Sequence, residues 1–299
     1  MEKPSISLHG VFPPIPTPFD ARGHIAYNAL VENLKRWNQY DLAGYVVLGS
    51  NGEGVYLTAD EKAQVWEVAR QAIPAGKLLV AGTGCESTHE TIALSSRAAD
   101  AGADAVLVLT PHYYDGQMTP DALTRHFEAV ADHAAVPVVL YNMPRLTHVD
   151  MDAATVTRLA QHPNVIGIKD SGGDVSKLAQ IVGAVEDGFQ VLAGSAGFFL
   201  PALTVGAVGG VMALANIAPQ PLIDLHRLFQ AGRWDEAAEV QRRLVPVNRA
   251  VTARFGVAGL KAALDMLGYY GGPVRSPLQK LVDRELQQLR RVLVAGKTL

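Results

Sequence analysis

The chain has little cysteine, little charge excess of either sign and no long apolar run. Cys85 is the single cysteine among 299 residues. That excludes an intrachain disulfide and fits a reducing cytoplasm. Lys and Arg total 26 against 29 Asp and Glu, for a net charge of −3. Nucleic-acid binders usually carry a basic excess, so no nucleic-acid partner is expected. No run reaches the ~18 apolar residues of a membrane-spanning helix, so no membrane partner is expected either. The opening "MEKPSISLHG" lacks the apolar core of a secretory signal and contains an acid, which disfavours a transit peptide. A cytoplasmic location is the expectation. The histidines are scattered without ligand spacing, so no metal is expected. Solenoid repeats, low-complexity tracts and flexible linkers are missing too.

What is present is apolar material in short pieces, 48% of residues in all. That is enough for a sizeable core. The runs are "VFPPIPTPF" (11–19), "GYVVLGS" (44–50), "LLVAGTG" (78–84), "AVLVLTP" (105–111), "VPVVLYN" (136–142), "VIGIKDS" (165–171), "FQVLAGS" (189–195) and "GGVMALAN" (209–216). Most are continuous rather than alternating, as in strands of a parallel sheet covered on both faces. The prolines of the first weaken its reading as a central strand. Helical segments fall between the runs. Residues 60–73 open with acids, and Ser87 with Glu90 reads as a capping box. Thr119 followed by Pro120 reads as a cap with proline at the first helical position. Segments 151–161 and 174–185 repeat the pattern. The alternation predicts an α/β fold, a (β/α)8 TIM barrel, with an open doubly wound sheet as the alternative. Beyond Pro219 only helical patterns remain. A barrel over residues 1–225 and a C-terminal helical domain over 226–299 are expected.

Barrel active sites lie at the C-terminal strand ends. The ends hold Ser50 and Asn51, Thr83 and Gly84, Thr110 and Pro111, Tyr141, Lys169, Gly194 and Ser195, and Asn216. Lys169 is the one lysine. Strict alternation places it on one strand face with Gly167 and Val165, with Gly167 leaving room beside it. A desolvated amine there has its pKa lowered and can attack a carbonyl. The alternative is a lysine that reaches the rim and pairs with Asp170. Tyr141 ends the preceding strand and could relay protons, or could be a rim tyrosine with a wet hydroxyl. "GSNGEG" (49–54) could hold a carboxylate on its backbone N–H groups, or be a plain tight turn, and it lacks the lysine of a nucleotide loop.

Together "GSNGE", "TPHYY", "VVLYNMP" and "IGIKDSGG" resemble the dihydrodipicolinate synthase/N-acetylneuraminate lyase family. The resemblance covers nearly the whole chain and implies a class I, Schiff-base aldolase that handles pyruvate. It assigns Lys169 as the Schiff-base lysine and Tyr141 as the tyrosine beside it. It makes Ser50 the link between tyrosines and a carboxylate ligand, with Asn51 next to it. Tyr113 is implied to reach into a neighbouring subunit's site, in a homotetramer built from tight dimers. Gly194 and Val211 match positions near bound pyruvate, and Asn51, Ser171 and Ser195 are candidates for the far end of the substrate. No cofactor is implied beyond the covalent lysine. Within the family the stretches "AGTGCEST", "VLAGSAGF" and "ARFGVAGLKAALDMLGYYGGP" look closest to 4-hydroxy-2-oxoglutarate aldolase. The expected reaction is therefore reversible cleavage of that acid to pyruvate and glyoxylate. The alternatives are a synthase joining pyruvate to aspartate semialdehyde, a lyase of 2-keto-3-deoxy sugar acids, and a 2-oxo-acid sensor without turnover. An arginine usual in the synthases is replaced by Leu146 and stands one residue earlier, at Arg145. That shift is expected to point the guanidinium elsewhere. Glu86, where an asparagine is common, speaks against feedback inhibition by lysine, and His148 follows Thr147 where glycine is usual.

Overall fold

The computed structural model describes residues 6–299. Part of the N-terminal stretch weighed for a targeting signal, residues 1–5, lies outside them. The chain alternates strands and helices: β1 (Gly10–Phe12), β2 (Pro14–Ile15), α1 (Tyr27–Trp37), β3 (Gly44–Val47), α2 (Ala59–Ala72), β4 (Leu78–Gly82), α3 (Thr88–Asp100), β5 (Ala105–Leu109) and α4 (Pro120–His133). It continues through β6 (Val138–Asn142), α5 (Pro144–Thr147), α6 (Ala153–Leu159), β7 (Val165–Asp170), α7 (Val175–Ala184), β8 (Gln190–Ala193), α8 (Phe199–Thr204) and β9 (Gly209–Val211). The strands form one parallel sheet in chain order from β2 to β9, with β1 beside β9.

The first barrel strand explains how that sheet closes. Proline supplies no N–H, and the "FPPI" stretch breaks the strand into β1 and β2. β1 pairs with β9 and β2 with β3, so one interrupted strand joins both edges. Carbonyls bridge the break: Val11 accepts from the Ala43 N–H and Pro13 from the Val46 N–H, each at 3.1 Å. The (β/α)8 barrel is thus the fold, and the open sheet is not.

Two apolar layers divide the residues. Phe12, Val46, Val80, Leu107, Val139, Ile166 and Leu192 fill the barrel. The cavity between Phe12, Val46, Val80, Leu107, Val139 and Leu192 has a volume of only about 10 Å3, too small for more than one water, so the barrel interior there is a packed core. The outer layer packs Val47, Leu79, Val106, Val108, Leu140 and Ile168 against the helices. Helix starts follow their signals. Thr58 and Glu61 form a complete capping box, and Thr119 accepts from the Ala122 N–H at 3.2 Å. Ser87 accepts from the Glu90 N–H at 3.1 Å, but the reciprocal bond from Glu90 expected of a box is not made.

Beyond the barrel the chain is helical: α9 (Pro219–Gln230), α10 (Trp234–Arg249), a π turn (Ala250–Arg254), α11 (Gly256–Met266) and α12 (Asp283–Ala295). The expected boundary at residues 225/226 lies inside α9, which is continuous across it. Among the described residues no helix is long and apolar enough to cross a membrane.

Candidate active site

Lys169 sits near the C-terminal end of β7 and is only 3% exposed. Its in-register neighbour on β6 is Tyr141, itself buried. The ammonium lies 3.8 Å from the centre of the Tyr141 ring. The Tyr141 hydroxyl is 3.2 Å from Ser50 Oγ, brought in by the loop after β3. Burial pushes the Tyr141 phenol up. The Lys169 charge and hydrogen bonds with Ser50, Lys169 and Ser171 outweigh that and leave it below the usual tyrosine value.

The strand delivers the lysine differently from strict alternation. The β6–β7 register shifts between Val138 and Val139, whose partners are Val165 and Gly167. This bulge leaves Ile166 unpaired. Ile166 faces the barrel interior, while Val165 and Ile168 both pack in the outer layer. The expected face of Lys169, Gly167 and Val165 is therefore wrong. One extra residue reverses the side chains beyond it and turns Lys169 inward, over Tyr141. Gly167 has a different role from the one expected. A Cβ there would stand 2.3 Å from the Gln190 carbonyl oxygen, so glycine permits close approach of β8.

Asp170 does not pair with Lys169. It is fully buried on the opposite face, where its Oδ2 accepts from Asn142 Nδ2 at 2.8 Å and meets Lys177 Nζ at 2.9 Å. Lys177 also donates to Asp150 at 2.6 Å. Burial pushes the Lys177 ammonium down, but Asp170 and Asp150 more than reverse this and raise it. These four side chains tie β6, β7 and α7 together behind Lys169 and Tyr141. The sequence reading missed Asn142, Asp150 and Lys177. Their signal was adjacency: the residues after Tyr141 and Lys169 must face the other way and need partners there.

The loop carrying Ser50 is strained and closely seated. Leu48 has φ +63° and Glu53 φ +54°, both left-handed and unfavourable for such side chains. A Cβ on Gly82 would lie 2.3 Å from the Leu48 carbonyl oxygen. The bare edge of β4 therefore lets the loop settle across it.

A cavity of about 680 Å3 opens above the barrel. Lys169, Tyr141, Ser50, Asn51, Ser171, Gly194, Ser195 and Val211 all line it. Gly194 is bare for a reason: a Cβ there would fall 1.9 Å from Ser171 Oγ. Tyr113 is the expected residue that the structure does not bring in. It does not line the cavity, is 76% exposed and packs edge-on against Tyr114. Glu86 accepts from the His112 and Tyr113 N–H groups at 2.9 and 2.8 Å and so fixes that loop. Other strand-end residues serve packing. Thr83 bonds Ser95, and Asn216 holds the Pro14 and Ala213 carbonyls. Among the described residues no group of His, Cys, Asp and Glu could hold a metal ion.

Comparison with known proteins decides the family. The model of the dihydrodipicolinate synthetase family matches residues 7–295. The chain belongs to this family. Its members use a lysine Schiff base with pyruvate, and the chain is accordingly a lyase of the aldolase type. It is 36% identical to the 4-hydroxy-tetrahydrodipicolinate synthase of Methanothrix thermoacetophila, over 96% of each chain. It is 35% identical to the enzyme of that name from Methanoculleus marisnigri, over 96% of this chain and 99% of that one. The crystal structure of a dihydrodipicolinate synthase from Bacillus anthracis superposes with a TM-score of 0.93 at 31% identity, covering 97% and 98% of the two chains.

These likenesses overturn the expectation of 4-hydroxy-2-oxoglutarate aldolase. Full-length relatives at 33–36% identity bear the synthase name instead. The physical reason lies in what the stretches read for that aldolase supply. "AGTGCEST" lines none of the cavity, "VLAGSAGF" lines it with Gly194, Ser195, Gly197 and Phe198, and residues 253–273 line it with Ala253 and Phe255 to Ala258. None of these lining residues is charged, so the stretches carry nothing that tells one second reactant from another. The argument from Arg145 also fails. Arg145 and Leu146 occupy the short helix α5, and both line the same cavity as Lys169. The one-residue shift leaves the arginine among the residues that line the cavity.

Proposed function

We propose that this chain is a 4-hydroxy-tetrahydrodipicolinate synthase, joining pyruvate to aspartate semialdehyde. The observation that carries the reading is the Lys169–Tyr141–Ser50 cluster in a cavity that also holds Arg145. Relatives bearing that name along nearly the whole chain support it. In this reading Lys169 Nζ, as the free amine, attacks C2 of pyruvate. Water leaves and an iminium forms. Loss of a C3 proton gives an enamine, because the iminium accepts the electron pair. C3 then attacks the aldehyde carbon, and Tyr141 delivers a proton to the new alkoxide. The amine of the aspartate semialdehyde part displaces Lys169 from C2, which closes the ring and frees the enzyme. One water is lost overall.

Ser50 and Asn51 hold the pyruvate carboxylate, and Ser50 passes protons to and from Tyr141. The lysine supplies the electrophile, so the chemistry asks for no metal or organic cofactor. We also infer a cytoplasmic homotetramer in which the partner subunit's Tyr113 completes the relay. The exposed Tyr113–Tyr114 pair outside the cavity supports this part.

Borohydride reduction with pyruvate is expected to leave a pyruvyl adduct on Lys169, located by mass spectrometry. The unreduced enzyme is expected to consume pyruvate only when aspartate semialdehyde is added. An adduct at another residue, or trapping without condensation, overturns the reading.

A further inference from the structure

Strand β7 is buried on both faces, so its hydrophobic pattern does not decide which way Lys169 points. Ile166 fills the barrel and Ile168 packs against the helices, and either residue would suit the other's place. Closing the bulge at Ile166 would move every later residue of β7 one place along β6. Ile168 would then stand beside Tyr141, and Lys169 beside Asn142 on the helix side. The cavity would lose its amine.

Polar groups separate the two registers. Asn142 and Asp170 are in-register partners directly after Tyr141 and Lys169, and both are fully buried. Each polar atom of the two side chains is bonded. Asp170 Oδ1 accepts from the Gly172 N–H at 2.8 Å, and its Oδ2 takes Asn142 Nδ2 and Lys177 Nζ. Asn142 Oδ1 accepts from the Met151 N–H at 3.0 Å. In the shifted register Lys169 would enter the space where Lys177 already stands, with half-exposed Asp150 as the remaining carboxylate. Two ammonium groups short of buried partners are strongly disfavoured. Gly167 opposes the same shift from the β8 side. Ile166 would take its place, where a Cβ stands 2.3 Å from the Gln190 carbonyl oxygen.

We propose that Asp170, held by Asn142 and Lys177, is a register lock that keeps Lys169 facing the cavity, and is therefore a positioning residue for imine formation. It steadies the rim as well. Its side chain takes the Gly172 N–H and its carbonyl takes the Gly194 N–H at 2.7 Å, on either side of the loop that carries Ser171. The proposal rests on Lys169 as the Schiff-base lysine and is independent of the aldehyde that follows.

The test exposes the full chain to pyruvate for timed intervals, quenches with borohydride and reads the adduct on Lys169 by mass spectrometry. Asp170→Leu is expected to slow adduct formation by about 10²-fold at saturating pyruvate, the scale of an ångström of misplacement. Half-saturating pyruvate is expected to change little, because Ser50 and Asn51 come from the loop after β3. Asp170→Asn keeps an acceptor for Asn142 and is expected to lose less. Asp170→Leu also strands the Lys177 charge, so Asp170→Leu with Lys177→Met is the deciding protein. It is expected to regain thermal stability over the single variant, because no lone charge stays buried, and not to regain the rate. A wild-type rate in that double variant overturns the proposal. Asn142→Ser leaves the ion pair whole and cuts the cross-strand bond, and is expected to slow adduct formation too; a loss seen only as weaker pyruvate saturation overturns the lock. A wild-type adduct on another residue overturns the Lys169 assignment separately. Hydrogen exchange then still decides the lock: the Ser171 and Gly194 amides are expected to exchange faster in the folded double variant, and unchanged protection overturns it.

Discussion

At the scale of single residues, Lys169 and Tyr141 act as one unit. The ammonium rests against the phenol ring, and the phenol meets Ser50. Replacing Tyr141 by Phe keeps the ring and its contact with Lys169 but removes the hydroxyl proposed to carry the proton. A kcat loss of about 10²-fold or more is expected, the usual scale for a positioned acid–base group. Pyruvate trapping should persist in the same variant, and stopped-flow condensation assays together with borohydride trapping check the two halves. Wild-type turnover in Tyr141→Phe would move the relay elsewhere. The strand pattern left Lys169 between a nucleophile and a rim lysine. Strand order was legible, so its neighbour Tyr141 was too. The face was not, because a bulge leaves no mark in composition: Ile166, Gly167 and Ile168 read equally well in either phase. Asp170 followed the same uncertainty, and the pairing with Lys177 shows where its charge goes.

Among the elements, those with a local signal were legible. Helices α2, α3 and α4 start at Thr58, Ser87 and Thr119, each accepting a hydrogen bond from its first turn. Helix α1 has no side-chain cap and no acid in its first turn, so nothing local announces Tyr27 as its start. The β1–β2 break was half legible. Its prolines argued against a central strand, and only the closed sheet shows that one broken strand can serve two neighbours. Helix α4 carries a testable cost of burial. His126 lies on its buried face with Nδ1 2.9 Å from Thr88 Oγ1, and burial pushes its pKa down to about 4. An unfolded histidine titrates near 6.5. Between those values the unfolded chain binds a proton that the folded chain refuses, so stability falls as the pH drops from about 6.5 to about 4. The loss is expected to reach a few kcal/mol, since each tenfold weakening of proton binding on folding costs about 1.4 kcal/mol. Urea unfolding at several pH values checks it. His126→Gln is expected to flatten that part of the curve, and an unchanged slope would assign the acid sensitivity to other groups.

For the whole molecule, the barrel and the helical extension were legible, but the job of the extension was not. The second reactant was misread because the stretches read for it, 191–198 and 253–273, bring only uncharged residues to the cavity, while the arginines there come from α5 and α10. No local pattern links residues about a hundred positions apart. One buried contact makes the dependence explicit. Glu53 directly follows the Ser50–Gly52 turn, and its carboxylate pairs with Lys261 of α11; both side chains are only 1% exposed. Arg275 donates its backbone N–H to Glu53 at 2.8 Å and holds Glu61 through two guanidinium nitrogens. Burial pushes the Lys261 ammonium down, and Glu53 opposes that only in part. Removing one partner leaves a buried charge alone, which typically costs roughly 3–5 kcal/mol. Lys261→Met and Glu53→Gln are each expected to destabilise on that scale. They are also expected to lower kcat, because the turn bearing Ser50 loses its anchor to the helical domain. The double variant leaves neither charge stranded, so its loss is expected to be well below the sum of the singles. Denaturant unfolding of the four proteins in the cycle measures the coupling. Strict additivity would mean that the pair holds nothing, and that the barrel keeps Ser50 in place without the C-terminal helices.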